Sequence, residues 1–317
     1  MVTEPDWDTV ELQPLHHVED PAIVVLRPVL GLTAYLDDPV HWARGAAREA
    51  LRFFLDRVDA EALTFYTTSL LDRWRTVRGD GGADRIADPL DARLLLFDRP
   101  RHLLRLRLAD FPNAAGIGFD YTEVDPARAD RAAVLELTVP PTGDPGELLQ
   151  LALELARLGP IHCMVGGYSV RWHVGEARLA HDCFYLWARR FLGLDARNPE
   201  MAWVAPDALP GTSWLTFVGQ GLAARHDLDL DALAATPFRE DVAAIPTPHG
   251  LLLRAGGEPT MGDQNDLDFP EAYAEVARTL APILAEDLFP FEGPFRVEDA
   301  MRRWTRRFLD PKAWTSP

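Results

Sequence analysis

Lysine is almost missing from this chain of 317 residues: Lys312 is its only one, and every other basic residue is arginine. A phosphate-binding P-loop requires a lysine after its glycines, and no Gly-x-x-x-x-Gly-Lys-Ser/Thr run occurs. The arginine bias fits a GC-rich genome and needs no functional cause. Positive charge is short altogether. There are 49 acidic residues against 32 basic ones, a formal net charge of −17. Such a surface repels nucleic-acid phosphates and anionic membranes, so neither is an expected partner. A basic protein is. Two cysteines, Cys163 and Cys183, cannot build a disulfide framework, which agrees with a reducing compartment. No apolar run approaches the roughly 20 residues of a membrane-spanning helix. The acidic start Met1-Val-Thr-Glu-Pro-Asp-Trp-Asp8 lacks the basic opening and apolar middle of a secretory signal. A cytoplasmic location is the expectation.

What is present suffices for a large core, with 47% hydrophobic and 26% charged residues. Residues 1–20 read as a loose acidic leader. From 21 to 317 a single domain is expected, although a Pro- and Asp-rich stretch near 193–210 could mark an internal boundary. Strands are predicted at Ala22–Leu26 and Gly31–Leu36, bent at Pro28, and at 63–68, 103–108, 117–124, 133–139, 164–172, 213–218 and 250–254. Leu103-Leu-Arg-Leu-Arg-Leu108 alternates apolar and charged residues, the pattern of an antiparallel sheet with one wet face. Asp38-Pro39 and Asp144-Pro145 are helix starts, Gly159-Pro160 is a stop, and further helices are expected at 177–191 and from Pro270, with a kink or stop at Pro282. Gly79-Asp-Gly-Gly-Ala-Asp84 reads as a flexible loop. The fold class follows as α+β: a mixed, mostly antiparallel sheet with helices packed on one face.

Chemistry has few candidates. His162, Cys163, His173, His181 and Cys183 fall on successive elements, yet without the paired short spacing of zinc ligands. Asp263, Asp266 and Asp268 crowd one loop, but their spacing is not that of a calcium loop, and Asx turns with a helix cap before Pro270 explain them as well. No Gly-x-Ser-x-Gly elbow occurs. A metal-dependent hydrolase using the His162–Cys183 region or the Asp263–Asp268 loop stands as an alternative. The expectation is instead a chain without catalysis, cofactor or bound metal. Trp42, Trp187 and Trp214 sit in apolar patterns and read as core. Trp304 and Trp314 lie near the arginines of Arg302-Arg303-Trp304-Thr-Arg306-Arg307, where they could be exposed anchors. Those arginines are expected to pair with the acidic body.

Pro210-Gly-Thr-Ser-Trp-Leu-Thr-Phe-Val-Gly219 is followed by Gly250-Leu-Leu-Leu-Arg-Ala-Gly-Gly-Glu-Pro-Thr-Met-Gly-Asp-Gln-Asn265 and then by Tyr273-Ala-Glu-Val-Ala277. The order Trp-Leu-Thr strand, Gly-Leu-Leu-x-Arg-Ala-Gly strand, Gly-Asp turn and Tyr-x-x-Val-Ala helix resembles a bacterial family first catalogued as of unknown function, the type VI secretion immunity proteins. The resemblance implies a protein that binds and neutralises a cognate antibacterial toxin, and it supplies no active-site residues. Asp263, Asp266, Asp268 and Trp304 are the expected toxin contacts. The toxin itself is expected to be basic, a nuclease first of all. A structural or regulatory role in secretion or phage defence is the other alternative.

Overall fold

The computed structural model describes residues 13–69, 71, 73–77, 103–128, 130–297 and 299–316. Most of the leader and the Gly79–Asp84 segment lie outside them. In chain order the strands are β1 (Leu15–His16), β2 (Val24–Leu36), β3 (Phe65–Thr68), β4 (Arg75–Thr76), β5 (Arg105–Ala109), β6 (Gly118–Thr122), β7 (Ala133–Val139), β8 (Ile161–Trp172), β9 (Leu215–Gly219), β10 (Val242–Thr247) and β11 (Gly250–Ala255). The helices are α1 (Ala47–Leu55, entered through the helical segments Pro39–His41 and Trp42–Ala46), α2 (Pro145–Leu158), α3 (Ala177–Arg190), α4 (Gln220–Arg225), α5 (Leu230–Ala234), α6 (Glu271–Thr279), α7 (Ala300–Thr305) and α8 (Pro311–Thr315).

Eleven strands make one sheet in the order β10-β11-β9-β8-β2-β7-β6-β5-β3-β4, with β1 added to β2. Among the described residues every ladder between these strands is antiparallel, and parallel pairing is confined to the bridges Ser169↔Asp195 and Leu209↔Leu284. The α+β class and the antiparallel sheet are as the sequence predicts.

β2 and β8 are the longest strands and form the spine. Pro28 sits inside β2 rather than dividing it, and the register explains why. Its partner is Val170, whose N–H turns away from β2 to donate to the Asp195 carbonyl, 3.1 Å. The Pro28–Val170 pair is therefore one without mutual hydrogen bonds. Pro28 faces the opposite edge, between the β1 partner at Leu26 and the first β7 partner at Leu30. A missing N–H costs least there.

Local signals set the helix ends. Asp144 accepts the Gly146 N–H (2.8 Å) at the start of α2, with Pro145 in the first turn. α6 ends at Thr279, and Pro282 lies in a separate 3-10 turn, Ala281–Ile283. β10 was not predicted. It is the edge strand, it carries Pro246, and its Ala243 and Ala244 weaken the β signal.

α1 covers the apolar face of the sheet, its Phe54 ring 6.0 Å from Phe119 of β6. Arg57 ties α2 alongside through Glu147 (3.1 Å) and Glu154 (2.9 Å). Helices are not limited to that face: α3 stands over one end of the other. The stretch near 193–210 runs along β8 rather than through solvent, with Leu194, Asp195, Ala196, Arg197, Met201, Ala202, Ala205 and Leu209 all buried.

Candidate functional site

Side chains opposite one another in an antiparallel ladder share a face. Arg107 faces Asp120, Asp120 faces Glu136, and Glu136 faces Thr33. One position on, Arg105 faces Thr122, Thr122 faces Val134, and Val134 faces Tyr35. Arg171 continues the face on β8. The residues between them, Leu106, Leu108, Phe119, Tyr121, Leu135 and Leu137, point into the core under α1 and are buried. The alternation read at 103–108 thus runs across four strands, and its charged side is the floor of a cleft.

That cleft has a volume of about 370 Å³. Its walls are Trp172, Val174, and Ala177 and His181 of α3, together with Arg131 and the segment from Arg197 to Glu200. Among the described residues five arginines line it against three carboxylates, Asp120, Glu136 and Glu200, which makes that lining positive in an acidic protein. Asp120 takes Arg107 at 2.8 Å and Arg105 at 3.2 Å, and Glu136 takes Arg171 at 2.7 Å. Burial alone would raise the Asp120 carboxyl, but Arg107, Arg105 and Arg171 outweigh it and hold it below the usual carboxylate range. Burial lowers Arg107 even with Asp120 beside it.

Behind the cleft, buried Asp195 pairs with Arg197 and lies 3.6 Å from Arg307. Arg307 is 1% exposed, stacks on the Trp304 and Phe308 rings, and donates to the Leu192 carbonyl at 2.7 Å. Burial pushes it down to about 10 despite Asp195. The tail arginines therefore behave unequally: Arg302 pairs with exposed Asp299 at 2.7 Å, whereas Arg307 is core.

His181 packs edge-on to Trp172 (4.9 Å) and beside Phe291 (5.1 Å). Burial lowers its pKa from 6.5 to about 4, against the pull of Glu292 and with that of Arg296. The unfolded chain thus binds the proton more readily than the folded one. Stability from this group is full above about pH 6.5 and is lost as pH falls towards 4. Thermal unfolding between pH 7 and 4.5 is expected to show that decline. In His181→Asn, whose Oδ1 can still accept the Glu292 N–H but cannot take a charge, the decline is expected to be shallower. Equal slopes would show that His181 does not contribute.

The predicted contact residues separate into two kinds. Trp304 is 0% exposed, enclosed by Phe184, Phe291 and Phe295, so its expected role as an exposed anchor is overturned, and Trp314 is buried likewise. Neighbouring arginines in sequence do not decide exposure, since an amphipathic turn points its indole inward. Asp263 is drawn inward as well: its carboxylate is bound by Arg190 (2.8 Å) and accepts the Asn265 N–H (2.9 Å). Burial would raise that carboxyl, but Arg190 and the Asn265 N–H lower it. Asp266 and Asp268 are exposed, on either side of Leu267, which is 90% exposed in a left-handed conformation (φ 57°).

The His162–Cys183 region does not converge. At roughly 3.3 Å per residue, His162 and His173 at the two ends of β8 are about 36 Å apart. His162 lies 3.6 Å from Asp37, while His173 accepts the Gly175 N–H at 3.1 Å. Burial raises the thiols of Cys163 and Cys183, the latter to about 11. Among the described residues no three His, Cys, Asp or Glu side chains are placed to hold one metal ion. Nor is any helix among them long and apolar enough to cross a membrane.

Sequence reading missed Tyr35, Asp120, Glu136, Arg171 and Arg197. The available signal was charge at alternate positions inside otherwise apolar strands, at Arg105, Arg107, Asp120, Glu136 and Arg171.

The Pseudomonas aeruginosa T6SS protein PA0821 is similar in structure, with a TM-score of 0.74 and 20% identity over 92% of this chain and 87% of that chain. At that identity the likeness speaks for the fold alone. No curated protein matches. Residues 105–308 match the family model TsiV, described as type VI immunity for VRR-NUC. The match runs from the start of β5 past the end of α7 and takes in the floor strands β5 to β8 and the α3 wall, well beyond the motifs of the last third. The chain belongs to TsiV, a type VI immunity family.

Proposed function

We propose that this protein binds a VRR-NUC toxin and holds it inactive by occlusion, with no chemistry of its own. The observation that carries this reading is the match of residues 105–308 to a family described as type VI immunity for VRR-NUC. A nuclease needs a positive surface to hold nucleic acid, and a chain of net charge −17 is its electrostatic complement. Asp266 and Asp268, exposed beside Leu267, are the contacts best placed to meet it. A toxin that cuts nucleic acid has its targets in the cytoplasm, so protection belongs there too.

The test is inhibition of the purified toxin's nuclease activity at one equivalent of this protein, with co-elution of the pair. Steering between opposite charges speeds encounter, so the association rate is expected to fall about tenfold or more between low and high salt. Asp266→Lys with Asp268→Lys slows association further and leaves folding intact, because both side chains are exposed. Full nuclease activity in the presence of excess protein would refute the reading.

A further inference from the structure

The cleft over β5, β6, β7, β2 and β8 contains buried donors that have no acceptor among the described residues. Tyr35 is 1% exposed, and its hydroxyl has no hydrogen-bond partner among the described residues. His181, 6% exposed, accepts the Glu292 N–H through Nδ1 (3.0 Å), so the hydrogen of the neutral ring sits on Nε2, which has no partner either. Arg197, 7% exposed, leaves its Nε–H unused. An unsatisfied buried donor is costly and calls for water, an ion or a ligand. All three lack the same thing, an acceptor. The lining carboxylates Asp120 and Glu136 are already engaged by arginines at 3.2 Å or less.

Charge narrows the class. Three carboxylates in the lining and Asp195, which Arg197 shares with Arg307, face the five lining guanidinium groups and that of Arg307, an excess of two positive charges. That excess suits an anion of one or two negative charges. Guanidinium forks hold carboxylates and phosphates alike, but the apolar wall of Trp172, Val174 and Ala177 favours a carboxylate carried on methylenes over inorganic phosphate.

We propose that this cleft is a carboxylate-binding site, in which Tyr35, His181 and Arg197 donate from below and Arg105 and Arg131 close over the ligand from the rim. At about 370 Å³ it admits a glutamate side chain or a small dicarboxylic acid, with Trp172 and Val174 against the methylenes. The site stands on the cleft alone. Its failure would leave the nuclease result untouched, and the reverse holds as well.

Titration calorimetry of the full chain at low salt tests it, with three probes: succinate, the peptide acetyl-Glu-Glu-amide and inorganic phosphate. Saturable binding of succinate or of the peptide is expected, with phosphate weaker. Peptide preference assigns the site to a protein's acidic side chain and succinate preference to a free acid, and either result upholds the carboxylate chemistry. Arg105→Gln, Arg131→Gln and Tyr35→Phe are each expected to weaken binding by about tenfold. Without ligand, Tyr35→Phe should unfold at the wild-type temperature or above, because it deletes only an unpaired hydroxyl. The proposal is overturned if wild-type protein binds neither carboxylate, if phosphate binds more tightly than both, or if Tyr35→Phe binds like wild type.

Discussion

Replacing Asp195 by alanine is expected to destabilise the protein by about 3–5 kcal/mol, the range for removing one partner from a buried ion pair. Its side chain is all but sealed from solvent, as are those of Arg197 and Arg307, which face it. The backbone of Asp195 would keep its bonds, with the N–H to the Tyr168 carbonyl (3.0 Å) and the carbonyl accepting from Val170 (3.1 Å). The loss would therefore come from two guanidinium groups left without a counter-charge. Asp195→Asn keeps the shape and one acceptor and should cost less. Arg307 keeps its bonds to the Leu192 and Trp304 carbonyls, so Arg197 bears most of the penalty. Urea unfolding checks it: a lower midpoint at an unchanged slope is the expected outcome. A change below about 1 kcal/mol would mean that water reaches the cluster.

Gly219→Ala is the second large effect. Gly219 ends β9, and a Cβ there would run into the Ile161 carbonyl at the start of β8. The obstacle is backbone in the middle of the sheet, not the flexible end of a side chain, so it cannot swing aside. The cost is expected at or above the top of the roughly 1–3 kcal/mol typical of overpacking. Its natural control is Gly257→Ala, where a Cβ meets nothing within 4 Å. Soluble expression and urea midpoints of the two variants would decide the matter, and equal stability would refute the close approach of β8 and β9. Gly219 also closes the Trp-Leu-Thr segment of the family resemblance. Its place in that motif is thus one of packing, not of chemistry.

Much of the fold was legible because its signals are local. Asp144-Pro145 and Gly159-Pro160 bound α2 with caps that act within one turn. Ala133–Val139 alternates as a strand, and Pro282 ends a helix by removing a donor. β10 escaped because proline and alanine in an edge strand blur the pattern. Trp304 was misplaced for a different reason: the surrounding arginines describe the chain, whereas Phe184, Phe291 and Phe295, which enclose it, come from two other segments.

By itself the sequence determined the acidity of the surface, the lack of a catalytic or phosphate-binding motif, the α+β class and a resemblance to immunity proteins. All of these follow from composition or from patterns a few residues long. Only the tertiary structure decided that Arg105, Asp120, Glu136 and Arg171 share one face, that α3 walls them in, and that the Tyr35 hydroxyl and His181 Nε2 end in their cleft without a hydrogen-bond partner among the described residues. Those facts depend on strand register and on burial between residues far apart in the chain. No local preference encodes them.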